Sequence, residues 1–414
     1  MSQPQPVRGT HDLLPDDFRR HAHVVGVSRH VAARFGYAEM ATPIFEVTEV
    51  FARTMGETSD VVSKEMYSFT DKGGEAITLR PEYTAGICRA FISNGLMQNV
   101  PVKVFAHGPM FRYERPQKGR QRQFHQIDIE AIGAAEPACD VEIIAVGHEI
   151  LRELGLIDKA TLELNSLGDP ESRAHYRQVL VDYFTGHKDK LSKDSLERLG
   201  RNPLRILDSK DEGDRKIVAN APLLEESFNQ AARDFFADVR RGLDALGIAY
   251  HVNPRLVRGL DYYTHTAFEF TTTHLGAQGA LIAGGRYDGL IEQLGGPPTP
   301  GIGWAGGIER LAMLAGDVAV AVRPVALVPI GEAAEQAAPV MALKLRRAGL
   351  VVELAYKGKV GQRMKRADRA GASHAILVGD DELKAGEVTL RDLKDGSQEK
   401  LSLDAALAKL KARG

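Results

Sequence analysis

Two alternating segments on either side of a basic loop constrain the fold of this chain more than any other stretch. Residues 111–130 read FRYERPQKGRQRQFHQIDIE, and we expect strands at 104–115 and 124–132. Side chains alternate between the two faces of a strand. One face of the second strand therefore carries Phe124, Gln126, Asp128 and Glu130. On the first strand Arg112 and Glu114 point together, so the sequence predicts a β-hairpin with a polar face.

The polar face of this hairpin allows two interpretations. Charge on a hairpin is ordinarily solvated, which makes 111–130 an amphipathic hairpin without a site. A solvated face has no need to exclude lysine, however, and the strand cations are Arg112 and Arg115. The planar guanidinium of arginine binds phosphate through two parallel hydrogen bonds, which the ammonium of lysine cannot do. The face therefore favours a ligand that carries phosphate close to an amine or an imidazole.

The composition is typical of a globular protein with more than one domain. The chain has 414 residues, of which 43% are hydrophobic and 26% charged, and this length allows two or three domains with cores of their own. No run approaches the roughly 18 apolar residues that a membrane helix needs. Residues 1–8 are polar, unlike a signal peptide. We therefore expect no membrane association and a cytoplasmic location.

The net charge and the cysteines exclude further classes. A formal net charge of −2 does not indicate a general nucleic-acid binder, so any RNA contact must come from local basic patches. The two cysteines, Cys88 and Cys139, are too few for a disulfide framework or for a zinc site of their own. We expect both to be small side chains in a reducing compartment, and we expect no metal ligands in the chain.

Two further stretches carry groups suited to a small ligand. Residues 78–84 read TLRPEYT and connect a predicted strand to a predicted helix. Glu82 and Thr84 can both accept hydrogen bonds from one ammonium group, although capping of the helix is the competing interpretation. Residues 258–263 read RGLDYY, where an arginine beside two tyrosines forms either a buried core network or part of a site.

The segment 301–306, GIGWAG, matches the glycine pattern of dinucleotide-binding folds. That pattern needs a preceding strand within a βαβ unit, whereas 295–300 is a proline-rich loop. We therefore interpret the segment as a glycine-lined strand that leads into a helix. Small residues allow a planar ring to lie against the backbone, and Arg310 at the start of the helix is placed to reach that ring.

The pattern changes twice along the rest of the chain. Residues 171–234 lose strand alternation and carry apolar residues at helical spacing, which predicts a helical insertion. Beyond residue 323, strands alternate with helices, which predicts a small parallel α/β domain. The elements expected there are strands at 325–330, 351–355 and 375–378, and helices at 332–348 and 360–370. Residues 357–369 hold six basic residues and one acid, either as a solvated face or as an RNA contact.

The hairpin sequence resembles the second signature motif of class II aminoacyl-tRNA synthetases, and in detail the version found in histidyl-tRNA synthetases. RGLDYY at 258–263 and GGRYDGL at 284–290 are similar to two histidine-specific signatures of that family. A predicted helix at 15–36 and a predicted strand at 37–51, broken by Pro43, resemble the first class II motif, which builds a dimer interface. The segment around Arg310 resembles the third.

The resemblance implies an α+β fold. The expected architecture is a class II catalytic domain at 1–322, built on an antiparallel β-sheet flanked by helices, with the helical insertion at about 171–234. An α/β anticodon-binding domain is expected at 323–414. A homodimer is also implied.

The implied activity is that of a histidine–tRNA ligase. L-histidine reacts with ATP to give histidyl-adenylate and pyrophosphate, and histidine then passes to the 3′ end of tRNA(His). The attacking carboxylate is already ionised, so the site must supply positioning and charge stabilisation rather than a general base. Mg²⁺ would be carried on the ATP phosphates. The alternatives are a non-aminoacylating, histidine-binding regulatory paralogue and a synthetase for another small amino acid.

The resemblance also assigns roles to residues. The implied catalytic residues are Arg112 and Arg258. The implied histidine-binding residues are Glu82, Tyr83, Thr84, Arg112, Gln126, Glu130, Arg258, Tyr262, Tyr263 and Tyr287. The implied ATP-binding residues are Arg112, Glu114, Arg120, Phe124 and Arg310. The implied tRNA-binding residues are Arg115, Gln117, Lys118 and Arg120. Asp128 shares the face of Gln126 and Glu130 but receives no role.

Overall fold

The computed structural model describes residues 3–55, 61–117, 119–207, 209–256, 262–275, 279–316 and 322–412. The chain divides into two compact units, Met1–Val318 and Ala319–Gly414. Within the described ranges, no helix has both the length and the apolar character needed to span a bilayer.

In the part of the chain that the structure describes, the larger unit is organised around an eight-stranded sheet. The strands described in the larger unit, which include those of a second, smaller sheet, are β1 (Ala38–Glu39), β2 (Phe45–Val47), β3 (Tyr67–Thr70), β4 (Ala76–Leu79), β5 (Val102–Phe111), β6 (Gln123–Ile132), β7 (Thr161–Ser166), β8 (His251–Val252), β9 (Thr264–Thr272), β10 (Gly279–Arg286) and β11 (Gly301–Gly307). Among the described residues the large sheet has the order β1-β5-β6-β11-β10-β9-β7-β8. It is antiparallel from β5 to β7, with β1 and β8 paired parallel at its edges. Strands β2, β4 and β3 form a small antiparallel sheet.

Helices cover the two faces of this sheet. They are α1 (Pro15–Arg34), α2 (Thr48–Met55), α3 (Thr84–Ser93), α4 (Pro137–Glu153), α5 (Pro170–Thr185), α6 (Lys193–Arg201), α7 (Glu212–Val218), α8 (Gln230–Ala245), α9 (Leu290–Gln293) and α10 (Ile308–Ala315). Shorter 3₁₀ turns lie at Leu96–Asn99, Ile157–Lys159, Lys188–Lys190, Pro203–Ile206 and Leu224–Ser227, and a π-helical turn at Val61–Glu65. The α+β class and the antiparallel sheet expected from the sequence are confirmed.

The hairpin pairs β5 with β6 in a register that runs from Val102 opposite Ile132 to Phe111 opposite Gln123. The first strand ends at Phe111, so the prediction that it continues to residue 115 is wrong. Beyond the strand the backbone takes other partners, since the N–H of Tyr113 donates to the carbonyl of Glu65 at 2.7 Å. Arg112 and Glu114 are therefore loop residues and do not share a strand face.

The predicted strand at 37–51 is also wrong in part. The structure has the short strands β1 and β2 on either side of Pro43, and α2 begins at Thr48. The helix forms because Val50, Phe51 and Thr54 recur at helical spacing and are buried against the core. The predicted first helix is confirmed as α1, which begins at Pro15 and ends one residue before Phe35.

Alternation along β6 divides the buried side chains between two cores. Ile127 and Ile129 lie in an apolar cluster with residues of α1, α4 and α8 on one side of the sheet. Tyr83, Ile87 and residues of α5 form a second cluster. Between α3 and the sheet lie the polar residues of β6, on the face predicted from the sequence.

The segment between β7 and β8 is helical, as predicted. It contains α5 to α8, and Tyr176, Leu180 and Phe184 of α5 are buried in the second cluster. The last of these helices, α8, continues to Ala245, beyond the residue at which the sequence pattern changed.

The smaller unit is a sheet with helices on it. Its strands are β12 (Val325–Ile330), β13 (Val352–Leu354), β14 (His374–Gly379), β15 (Glu387–Asp392) and β16 (Gln398–Ser402), and its helices are α11 (Glu332–Arg347), α12 (Val360–Arg369), α13 (Asp380–Ala385) and α14 (Leu403–Lys411). The described strands have the order β13-β12-β14-β15-β16. The parallel trio predicted from the sequence is present. The antiparallel β15 and β16 were not predicted.

Candidate active site

A cavity of about 350 Å³ lies over the polar face of the large sheet. It is referred to below as the first cavity. Its lining includes the predicted residues Glu82, Thr84, Arg112, Glu114, Arg120, Phe124, Gln126, Tyr262, Tyr263 and Arg310. These come from the start of α3, the hairpin loop, β6, the segment before β9, and α10. Because they range from Glu82 to Arg310 along the chain, only the tertiary fold brings them together.

Glu82 and Thr84 mark one part of the first cavity. Oε1 of Glu82 accepts a hydrogen bond from the backbone N–H of Ala85 at 2.9 Å, so the capping interpretation is correct in geometry, while both residues also line the cavity. Burial raises the pKa of Glu82, and hydrogen bonds from Ala85 and Thr84 oppose this effect. A cationic ligand group would relieve the cost of ionising this buried carboxyl.

Glu130 and Tyr287 are absent from the described lining of the first cavity. Glu130 is fully buried and accepts hydrogen bonds from Thr84 Oγ1, at 2.6 Å, and from the Tyr287 hydroxyl. Burial raises the pKa of Glu130 to about 8. A Cβ at Gly303 would lie 1.6 Å from Oε2 of Glu130, so the carboxyl fits there only because the adjacent strand carries glycine. Glu130 is therefore connected to the first cavity through its hydrogen bond with Thr84, which lines it.

The side chain of Tyr83 points away from the first cavity. Its hydroxyl donates to the carbonyl of His107 at 2.8 Å, and the Arg80 guanidinium lies 4.0 Å from its ring centroid. The geometry therefore does not support direct contact of this ring with a ligand in the first cavity. Tyr262 and Tyr263 do line it, with ring centroids 4.6 Å apart.

Two arginines of the first cavity, Arg112 and Arg310, donate hydrogen bonds to backbone carbonyls. Nε of Arg112 donates to the carbonyl of Pro81 at 2.8 Å, and its guanidinium lies 5.3 Å from the ring centroid of Phe124. Nη1 of Arg310 donates to the carbonyl of Ala280 at 2.7 Å. Burial and the nearby Arg120 lower the pKa of Arg310 from its ordinary value. Neighbouring cations in a half-buried cleft suit a multiply charged anion.

The hairpin loop presents residues to solvent as well as to the first cavity. Arg115 and Gln117 are exposed and outside the described lining, whereas Arg120 is exposed and part of it. Backbone hydrogen bonds of 3.1 and 2.9 Å join Gln117 and Arg120 across the loop tip. Arg258 and Lys118, to which the sequence assigned roles, lie outside the described residues.

Several lining residues were missed from the sequence. They include Gln121, Glu269, Trp304 and Glu309. The signal available for Glu269 was a lone charge in the otherwise uncharged segment 266–273. Glu309 precedes Arg310 directly, and its carboxylate accepts a hydrogen bond from the backbone N–H of His125 at 2.9 Å. It thereby ties α10 to β6.

The side chain of Asp128 is buried beneath this site. Its side chain is 1% exposed, and neither carboxyl oxygen accepts a hydrogen bond from any described residue. Burial, with Glu130 and Glu82 nearby, raises the pKa of Asp128 well above its ordinary value. The folded protein therefore favours the protonated acid.

We expect Asp128→Asn to stabilise the protein, and more so at higher pH. The unfolded chain ionises Asp128 near pH 3.9, whereas the folded state retains the proton, so folding takes up a proton above that pH. The free energy of unfolding contributed by Asp128 therefore falls as pH rises towards the folded-state pKa, by up to about 1.4 kcal/mol per pH unit. Asparagine does not titrate. Urea unfolding of both proteins between about pH 5 and pH 8 measures the difference in their free energies of unfolding. A difference that stays constant with pH would contradict the expectation.

Two models of known protein families match this chain and together span most of it. A family model described as histidyl-tRNA synthetase matches residues 9–311, and one described as an anticodon-binding domain matches residues 324–413. The chain belongs to the histidyl-tRNA synthetase family. The resemblance found in the sequence motifs is thus confirmed.

Individual relatives of the family match over the full length of the chain. A protein from Rhodospirillum rubrum named histidine–tRNA ligase is 60% identical over 414 residues, which is 100% of both chains. One of the same name from Gluconobacter oxydans is 56% identical, again over 100% of both. Among solved structures, apo histidyl-tRNA synthetase from S. aureus has a TM-score of 0.84 at 36% identity and covers 99% of this chain and 100% of its own.

Proposed function

We propose that this chain is a histidine–tRNA ligase, which activates L-histidine with ATP and transfers it to tRNA(His). The observation that carries the proposal is full-length identity of 60% to a protein named for that activity. The geometry supports it, because one cavity joins carboxylate, hydroxyl and amide groups to a set of arginines. The regulatory alternative is disfavoured, since both family models match and together they span most of the chain.

Histidine is proposed to bind at the end of the first cavity that holds Glu82. Glu82, Thr84 and Gln126 would hold its α-ammonium group, and Oε1 of Gln126 is buried without a hydrogen-bond partner among the described residues. An ammonium donor would satisfy that oxygen. Tyr262 and Tyr263 would contact the imidazole, and Glu130 and Tyr287 would act from behind the wall. Arg258 is assigned to the carboxylate end by resemblance alone.

ATP is proposed to bind among the arginines. Arg112 would hold the α-phosphate, and Arg310 would pack on the adenine and reach the γ-phosphate. Phe124 and Glu114 would contact the base, and Arg120 the phosphates. Such groups, fixed in advance, stabilise the charge that forms on phosphorus during attack by the histidine carboxylate.

Mg²⁺ is proposed to enter with ATP. It binds nucleotide phosphates and retains several waters. Glu114 and Glu269 line the first cavity together with Arg310, and their carboxylates would offer oxygen ligands beside the proposed phosphates. When bound, the ion would neutralise phosphate charge.

The second step is proposed to use the hairpin loop, in which Arg120 also lines the first cavity, and the smaller unit. Arg115, Gln117, Lys118 and Arg120 of the hairpin loop would meet the acceptor end of tRNA(His). The smaller unit, which the anticodon-binding model matches over residues 324–413, would contact the anticodon. We also propose that the chain forms a homodimer through the first motif. Its proposed location is the cytoplasm, where tRNA is charged.

The test is ATP–pyrophosphate exchange with each amino acid in turn and no tRNA. We expect exchange with histidine and none with the other nineteen, because a pocket that hydrogen-bonds a ring N–H strongly rejects analogues without one. Aminoacylation of tRNA(His) transcript then tests the second step. Folded protein that binds histidine but gives no exchange would overturn the ligase and support the regulatory paralogue. Exchange with a different amino acid would overturn the assignment of the pocket.

A further inference from the structure

Two histidines and a glutamate meet behind the first cavity. His21 belongs to α1, His125 to β6 and Glu309 to α10, and one ligand atom from each lies within 4.8 Å of the others. The rings of His21 and His125 are nearly perpendicular, at 80°, with centroids 5.4 Å apart. Three elements distant in the chain thus bring together two imidazoles and a carboxylate.

His125 and Glu309 already have nearly the spacing of two ligands on one metal ion. Nδ1 of His125 lies 2.9 Å from Oε1 of Glu309. Two ligands with bonds of about 2.0–2.1 Å to a tetrahedral ion lie about 3.3 Å apart. An ion can therefore replace the proton between these two atoms after a small widening. The second oxygen, Oε2, lies 3.1 Å from the His125 backbone N–H and can retain that hydrogen bond.

The protonation states suit metal binding, which needs neutral imidazole and ionised carboxylate. Burial lowers the pKa of His21, which favours the neutral ring. Burial acts to raise the pKa of Glu309, but hydrogen bonds from the ring and backbone of His125 outweigh it and hold the pKa below its ordinary value. Both shifts favour the protonation state that binds a metal ion.

Open space for the remaining ligands lies beside the group. A second cavity, of about 340 Å³, is lined by His11, Asp17, His21, Gln121, Glu309 and Met313, among others. Zinc bound by three protein ligands commonly keeps a water in the fourth position. His11 is exposed and lines the second cavity, which makes it a candidate for an additional imidazole ligand. Glu309 lines both cavities, so the group shares a wall with the candidate active site.

We propose that His21, His125 and Glu309 form a binding site for a divalent transition-metal ion of the zinc class, with water from the second cavity completing its coordination. Imidazole ligands favour such ions, whereas Mg²⁺ and Ca²⁺ prefer oxygen ligands alone. The site is separate from the Mg²⁺ expected on ATP and does not depend on the proposed ligase activity.

The test is calorimetric titration of Zn²⁺ into full-length, tag-free protein that has been stripped with EDTA. We expect one ion per chain. His21→Gln and His125→Gln should each weaken binding by at least about 100-fold, because each removes a direct ligand. His30→Gln is the matched control, since His30 is an exposed histidine on the same helix, and it should bind as tightly as the unmodified protein. Circular dichroism establishes that each variant is folded.

Substitution with Co²⁺ identifies the ligands. Coordination by nitrogen and oxygen gives visible d–d absorption without the intense near-ultraviolet band of a cobalt–thiolate bond. A thiolate band would place the ion at Cys88 or Cys139 and overturn the proposal. Absence of Zn²⁺ binding to the unmodified protein, or unchanged affinity in both the folded His21→Gln and the folded His125→Gln variants, would overturn it as well.

Discussion

Replacing Arg112 with alanine is expected to lower kcat/KM for ATP–pyrophosphate exchange by about 10²- to 10³-fold, the usual effect of removing one group that stabilises charge in a transition state. Nε of Arg112 is anchored on the carbonyl of Pro81, and the guanidinium packs beside the ring of Phe124. This anchoring fixes the group before the substrate arrives. In the proposed role of Arg112, the two terminal nitrogens would meet two phosphate oxygens at once.

The Arg112→Lys variant separates charge from shape. Lysine retains the positive charge but cannot bind two oxygens in a planar fork, so we expect activity nearer to that of alanine than to that of arginine. Arg53→Ala is the control, because Arg53 is an exposed residue of α2 paired with Glu49, and it should leave exchange unchanged. Exchange by a folded Arg112→Ala protein within about threefold of the unmodified protein would remove Arg112 from the transition state.

Replacing either Arg286 or Asp140 with alanine is expected to destabilise the larger unit by about 3–5 kcal/mol. Both side chains are completely buried, and two guanidinium nitrogens of Arg286 donate to the Asp140 carboxylate. Nη1 of Arg286 also donates to the carbonyl of Ala134 at 2.9 Å. Removal of one partner leaves the other charge buried and unpaired, which costs far more than the pair gains over apolar side chains.

The double variant Arg286→Met with Asp140→Leu should recover much of this loss, since it removes both charges together. Urea unfolding is followed by the fluorescence of Trp304, the one tryptophan of the chain, which is buried in β11 and donates to the carbonyl of Ile143. The exposed pair of Arg53 and Glu49 serves again as the control, and its removal should cost less than about 1 kcal/mol. Equal unfolding midpoints for the single variants and the unmodified protein would contradict the expectation.

Arg286 also shows where motif-based interpretation was incomplete. By resemblance, GGRYDGL at 284–290 is interpreted as a specificity signature, and Tyr287 is assigned to the histidine pocket. The structure places Arg286 in an ion pair with Asp140, 146 positions earlier in the chain, and Tyr287 behind the cavity wall on Glu130. A motif of a few residues carries no information about a contact between side chains that are 146 positions apart in the chain.

The contact between Thr84 and Glu130 is a second feature that the sequence pattern did not reveal. Alternation along β6 correctly placed Gln126, Asp128 and Glu130 on one face, but it did not indicate how deep each lies. Gln126 reaches the first cavity, whereas Glu130 is covered by Thr84 and Tyr287. Depth depends on what the neighbouring strand and helix place above each residue, and here the neighbours are Gly303 and the start of α3.

By itself the sequence determined most of the elements, the sheet class, the polar face of the hairpin and the family. These follow from periodicity and from short motifs, which are local properties of a chain. The tertiary structure alone decided which polar side chains reach the first cavity, which pair in the core, and that His21, His125 and Glu309 meet. Such contacts depend on the packing of elements far apart in sequence, and the free energy of that packing is not encoded in any one segment.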